Sequence, residues 1–216
     1  MADKIENRHY SFVEGEIELR AATDGKKMIT GEAIVYERES LPIHGMYIEI
    51  IKRGALNEAD MSKVIARTNH DNGQILGTSW SGTLRLMDTA SALRYEVDIP
   101  NTTAGRDTEA LMERGDIAGS SFAFISDERS EKWIDRSEQG MLPILEVHKI
   151  KSLHDVSPVL TPAYPDAKSA LRSFDAWKQR TAEEEAEKLR QVEEEKKLIA
   201  DSESLAAIHS HKKYKK

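Results

Sequence analysis

The 216-residue sequence predicts a mainly β protein with helices, of the α+β class, followed by a charged helical tail. Apolar and polar residues alternate in short runs through most of residues 10–170, the period-two signature of half-buried antiparallel strands. Turn dipeptides separate several of those runs, Asp24-Gly25 and Asn72-Gly73 among them. After about residue 170 the composition changes to Ala, Glu, Lys, Leu and Gln, which favour helix.

Taken in order, strand-like segments fall at residues 11–20, 29–36, 46–51, 84–87, 92–99, 120–125, 145–152 and 155–160. In 92–99, Leu93, Tyr95, Val97 and Ile99 share one face, opposite Ala92, Arg94, Glu96 and Asp98. A short helix is expected near 55–61. A second is expected over 105–114, capped from Thr102-Thr103 and closed by Gly115. Pro158, Pro162 and Pro165 are expected to end the last strand and open a linker. The domain reading is therefore 1–171 for the folded body and 172–216 for a helical or partly disordered tail. In that tail Glu184 precedes Lys188 and Glu193 precedes Lys197, the favourable i,i+4 order, while Leu189, Val192, Leu198 and Ile199 make only a thin apolar stripe.

Composition excludes several function classes. With no cysteine there is no disulfide scaffold, no Cys-ligated metal and no thiol nucleophile. The net charge of −7 argues against general nucleic-acid binding, which needs a basic surface. Residues 172–216 hold 11 Lys+Arg and 10 Asp+Glu, so the acidic excess lies in the body. No apolar run approaches the roughly 18–20 residues of a membrane span, and MADKIENRHYSF lacks the apolar core of a secretory signal, so an intracellular protein is expected. HExxH, GxSxG, P-loop and Rossmann patterns are absent, and no metal or cofactor is expected. Asn101-Thr102-Thr103 matches a glycosylation sequon by chance, Arg114-Gly115-Asp116 reads as a helix end, and His209 and His211 read as solvated tail residues.

Three segments could carry chemistry. In Ala66-Arg67-Thr68-Asn69-His70-Asp71, a lone His in a polar loop is commonly a surface residue, but imidazole titrates near neutrality and His70 is a candidate general base. In Ile117-Ala118-Gly119-Ser120-Ser121-Phe122-Ala123-Phe124, small residues abut an aromatic pair. Alternation puts Ser120 with Phe122 and Phe124, and Ser121 with Ala123 and Ile125. In Leu153-His154-Asp155-Val156-Ser157-Pro158-Val159, Asp155 opens a β-branched strand where Asp is disfavoured; it either ends a turn or orients an imidazole. Spacing alone does not define a Ser/His/Asp triad, because triads are set by geometry.

Together these segments resemble the prohead proteases of tailed phages of the HK97 type. GEAIVYERESLP, EIIKRGAL, Asn69-His70-Asp71 with Leu76-Gly77, GDIAGSSFAF and DVSPVLTPAYPDA occur in the family's order across roughly residues 10–172. The resemblance implies a serine endopeptidase with a fold like the herpesvirus assemblins, a β-barrel surrounded by helices. It implies His70 and Ser121 as catalytic residues, with Ser120 where the family has Met and Ala123 where it has Gly. Asp155 is the third member it implies, with Asp71 competing, although neighbouring side chains diverge. Backbone N–H groups near 161–164, at Ala163 or Tyr164, would hold the oxyanion. The implied partners are the major capsid protein with its scaffolding segment, the chain itself through autoprocessing, and a possible homodimer, with no nucleic acid and no membrane. The implied place is the host cell cytoplasm, inside the assembling prohead, where the tail would mix with helical scaffold. The rival expectation is a non-enzymatic assembly or scaffolding protein with a degenerate protease domain; a bacterial housekeeping hydrolase is a third, disfavoured by the missing GxSxG.

Overall fold

Strands form where the alternation predicts them and also at places too short to alternate. The computed structural model describes residues 17–21, 27–43, 45–160 and 168–213. The first sheet has the order β1-β2-β7-β6, all antiparallel, from β1 (Ile17–Ala21), β2 (Lys27–Val35), β6 (Leu84–Asp88) and β7 (Ala92–Asp98). Its inward face carries Ile29, Leu93, Tyr95 and Val97, each without solvent exposure. Burying such a side chain is worth about 1.5–3 kcal/mol, which fixes the register of each strand.

A second sheet joins β3 (Ile48–Ile51), β9 (Glu131–Ile134) and β10 (Ile144–Val147), with β10 central, parallel to β3 and antiparallel to β9. The third has the order β5-β4-β11-β8, from β4 (Ile65–Arg67), β5 (Ile75–Thr78), β8 (Ile117–Ser126) and β11 (Ile150–Leu160). Here β11 runs parallel to β4 and antiparallel to β8. Both faces of β8 are covered over most of its length, so it reads as a run of small and apolar residues without alternation.

Among the described residues the strands are mixed α+β in setting and hydrogen-bond into three separate sheets, without a closed ring. Three expectations are corrected. The helix expected near 55–61 is a run of turns. Gly54 adopts φ +83°, Ala55, Asn57 and Ala59 each donate to the carbonyl three residues back, and Asp60 pairs with Ser152. Long-range backbone bonds from Asp60 to Lys151 and from Ile150 to Ala55 claim groups a helix would need. The strand expected over 145–152 is divided between β10 and β11 at His148-Lys149, and β11 continues through His154 with a bulge between Leu153 and Asp155. Pro158 lies inside β11, past the two residues that pair with β4, where a missing N–H is tolerated. Residues 11–16, Asp24-Gly25, Pro162 and Pro165 lie outside the described residues.

The helix α1 (Thr103–Arg114) forms as its caps predict. The Thr102 hydroxyl accepts from Gly105 N at 3.2 Å, and Gly115 takes φ +79° while its N–H returns to Met112 O. Chain contacts divide the protein into two units, Met1–Ala170 and Leu171–Lys216. The second is built on α2 (Lys168–Lys213), in which Phe174 and Trp177 pack at 5.7 Å between ring centroids and Leu189 and Val192 are exposed. Among the described residues no helix is long and apolar enough to cross a membrane.

Candidate active site

Antiparallel pairing sets Ser157 of β11 opposite Ser121 of β8, and Asp155 opposite Ala123. Residues opposed in this way project from the same face of a sheet, so Ser121, Asp155 and Ser157 share one face. Ser120 projects from the other, where its hydroxyl shares a 2.7 Å hydrogen bond with the fully buried Tyr95 phenol. Gly31 stands against that pair: a Cβ there would lie 2.7 Å from the Tyr95 ring and 2.8 Å from Ser120 Oγ. The two adjacent serines therefore have different surroundings, one in the core and one facing a loop.

His70 comes from that loop. β4 lies beside β11 at Asp155 and Val156, and the short turn Thr68–His70 follows it directly. Thr68 N donates to Gln74 O and Asp71 N to Thr68 O, so the turn closes on itself. Asn69 and His70 take φ +51° and +58°, a left-handed conformation that costs most L-residues about 1–2 kcal/mol and that Asn and His tolerate better. The Asn69 side chain offsets this by accepting from Leu160 N at 3.0 Å, and Thr68 Oγ1 meets Thr108 Oγ1 of α1 at 2.5 Å. The conformation swings the imidazole over the sheet face. His70 Nε2 lies 2.8 Å from Ser121 Oγ, and His70 Nδ1 lies 2.7 Å from Asp155 Oδ1. The Asp71 carboxylate is used elsewhere, accepting from Gly73 N at 2.7 Å. The structure thus brings His70, Ser121 and Asp155 together and leaves Asp71 and Ser120 apart from them.

A family model described as caudovirus prohead serine protease matches residues 15–180. The chain belongs to that family. No curated protein and no solved structure matches it. The prohead serine protease family is one of phage capsid-maturation hydrolases, and its matched segment spans every residue of the cluster just described.

Two further side chains of this family member complete the cluster, and neither was singled out in its sequence. Arg67, at the end of β4, donates through Nε to Asp155 Oδ2 at 2.8 Å and through Nη2 to the same oxygen; its Nη1 reaches Asn72 Oδ1. Ser157 Oγ donates to Asp155 Oδ1 at 3.1 Å and lies 3.2 Å from His70 Nδ1. Nothing local marks Arg67, whose partner lies 88 residues away. For Ser157 the signal was the i,i+2 spacing from Asp155, which is a shared face only if the strand continues unbroken. Asp155 has no solvent exposure. Burial pushes its carboxyl up, but contacts from His70 and Arg67 outweigh burial and hold it below the ordinary carboxylate range.

An ionised Asp155 can only accept, so the proton between it and His70 sits on Nδ1. In the neutral imidazole, Nε2 is then the acceptor and faces the Ser121 hydroxyl at 2.8 Å, the arrangement in which an imidazole can take the hydroxyl proton. Ala163 and Tyr164, expected as oxyanion donors, lie outside the described residues. Among the described residues no group of three His, Asp or Glu side chains gathers to hold a metal.

Proposed function

We propose that this chain is a serine endopeptidase that cleaves scaffold or capsid protein during prohead maturation and also cleaves itself. The observation that carries this reading is the hydrogen-bond line from Ser121 through His70 to Asp155, at 2.8 and 2.7 Å, in a member of a prohead serine protease family. Ser121 Oγ attacks the scissile carbonyl carbon while His70 Nε2 takes its proton. Asp155 holds the imidazole in the required tautomer and stabilises the imidazolium. The tetrahedral intermediate then expels the amine, which receives the proton from His70. Water, activated by the same imidazole, releases the acyl group from Ser121. Backbone N–H donors for the oxyanion are each worth about 2.7–4 kcal/mol in such a mechanism.

The partners in this proposal are the major capsid protein with its scaffolding segment and a second copy of the chain. The place is the interior of the assembling prohead in the host cytoplasm. Residues 1–171 act as the protease and 172–216 as an arm that joins helical scaffold. The assemblin-like barrel is part of the same reading, supported by the strand-rich body but by no ring of hydrogen bonds among the described residues. Co-expression with the major capsid protein tests the activity. The wild-type chain yields a shortened capsid protein by mass spectrometry, and Ser121→Ala yields the full-length one. Cleavage retained by Ser121→Ala and lost in Ser120→Ala would move the nucleophile by one residue; cleavage by neither chain favours an assembly role without catalysis.

A further inference from the structure

We propose that Arg67 is a positioning residue of this site: its guanidinium clamps Asp155 Oδ2 and so turns Oδ1 toward His70. The inference rests on the reading of Ser121 and His70 as nucleophile and base. A carboxylate without solvent exposure needs its lone pairs filled and its charge answered. The contacts divide by oxygen. Oδ1 accepts from His70 Nδ1 and Ser157 Oγ, while Oδ2 accepts from Arg67 Nε and Nη2. With Oδ2 pinned in this way the carboxyl cannot rotate, and the oxygen left for the imidazole has a fixed direction. Arg67 is held in turn by Nη1 on Asn72 and by its place at the end of β4, three residues from the base it serves. One short stretch of chain therefore supplies both the imidazole and the group that aims its partner.

The clamp also sets the charge of the cluster. The charged and titratable groups around Asp155 are Arg67 from β4, His70 from the turn and His154 from β11; β8 places Ala123 opposite it. The imidazole of His154 is itself pushed toward its neutral form by burial, which leaves Arg67 as the permanent positive charge. Without Arg67 the burial penalty on Asp155 is opposed only through His70. Its carboxyl then takes up a proton at higher pH than in the intact site. A protonated Asp155 no longer enforces the Nδ1–H tautomer, so activity is lost from the acid side first.

The rate at which a fluorophosphonate probe labels Ser121 reads the nucleophile without a known substrate. It is measured across pH on the full chain for wild type, Arg67→Lys, Arg67→Gln and Ser121→Ala, with the folded fraction of each taken from its melting curve. Wild type labels and Ser121→Ala does not. Arg67→Gln labels about 100-fold more slowly per folded molecule, the scale of a misaligned catalytic group, with the loss in the inactivation rate and not in probe affinity. Arg67→Lys keeps the charge but loses the fork. It recovers to within about tenfold at alkaline pH, with its acid limb moved up by about one pH unit. Where Arg67→Gln does not fold, Arg67→Lys alone decides. A wild-type rate and pH profile in the folded fraction of Arg67→Lys reduces Arg67 to a structural ion pair and overturns the inference. Failure of the wild type to label, or labelling of Ser121→Ala, instead overturns the reading of the site on which it rests.

Discussion

Asp155 and Asp71 are the same side chain in opposite circumstances, and their surroundings decide which of them can serve His70. Asp71 is exposed and spends its carboxylate on the backbone of its own turn, at Gly73. Asp155 is wholly buried, ionised against the burial penalty by His70 and Arg67, and 2.7 Å from the imidazole. Asp155→Asn keeps the shape but offers an amide that permits the wrong imidazole tautomer, a change that costs serine proteases about 10⁴-fold in kcat. Asp71→Asn is expected to stay within about threefold of wild type, since surface changes of this kind shift stability by no more than ~0.5 kcal/mol. Capsid-protein cleavage rates for the two variants check this, and a dead Asp71→Asn beside an unchanged Asp155→Asn would reverse the assignment. Asp155 was legible as a candidate because Asp is disfavoured in a β-branched strand, and Ser121 because small residues there abut an aromatic pair; His70, ordinary for a polar loop, was marked by its chemistry and by the family resemblance. Arg67 was not, because an Arg beside a loop is ordinary until a partner 88 residues away is known.

The turn Thr68–His70 shows how a three-residue element can control the whole site. Two successive left-handed residues have no local reason to persist, and the side-chain contacts of Asn69 with Leu160 N and of Thr68 with Thr108 supply a tertiary one. Asn69→Gly keeps the backbone freedom and loses only the anchor, whereas Asn69→Ala loses the anchor and meets the steric penalty as well. The expected order of probe-labelling rate is wild type, then Asn69→Gly, then Asn69→Ala. The Ala variant is expected to be destabilised by about 2 kcal/mol in denaturant unfolding, from a lost hydrogen bond of ~1 and a comparable backbone term. Equal rates and stabilities for all three chains would remove the turn from the account. The legibility of other elements follows the range of the forces that make them. α1 could be read from its sequence because Thr102 and Gly115 cap it locally. β4, β5 and β9 could not, because three or four residues carry too little alternation to distinguish a strand from a loop. The turns after Gly54 were misread as helix because backbone bonds to Lys151 and from Ile150, remote in sequence, outweigh a helical composition.

At the scale of the molecule, the site and the tail are separable in the chain. The side chains that meet around His70 lie between Arg67 and Ser157, within the unit Met1–Ala170, and the second unit begins at Leu171. The tail also differs in kind. Its 11 Lys+Arg and 10 Asp+Glu nearly cancel while the body is acidic, and its exposed Leu189 and Val192 give a long helix too little apolar surface for a core of its own. A helix of that composition gains most by pairing with another helix, and its near-neutral but blocky charge suits a partner of the same character better than it suits the acidic body. The expected result of deleting residues 175–216 is therefore a division of functions. Fluorophosphonate labelling of Ser121 stays within about twofold of the full chain, because no group of the cluster is removed. Incorporation into proheads falls, measured as the ratio of protease to capsid protein in purified particles. The comparison is made in a Ser121→Ala background, so that self-cleavage cannot trim the full-length control. A truncated chain that enters proheads at the full-length ratio excludes the arm as the means of entry, and one that also loses labelling shows that the tail stabilises the body instead.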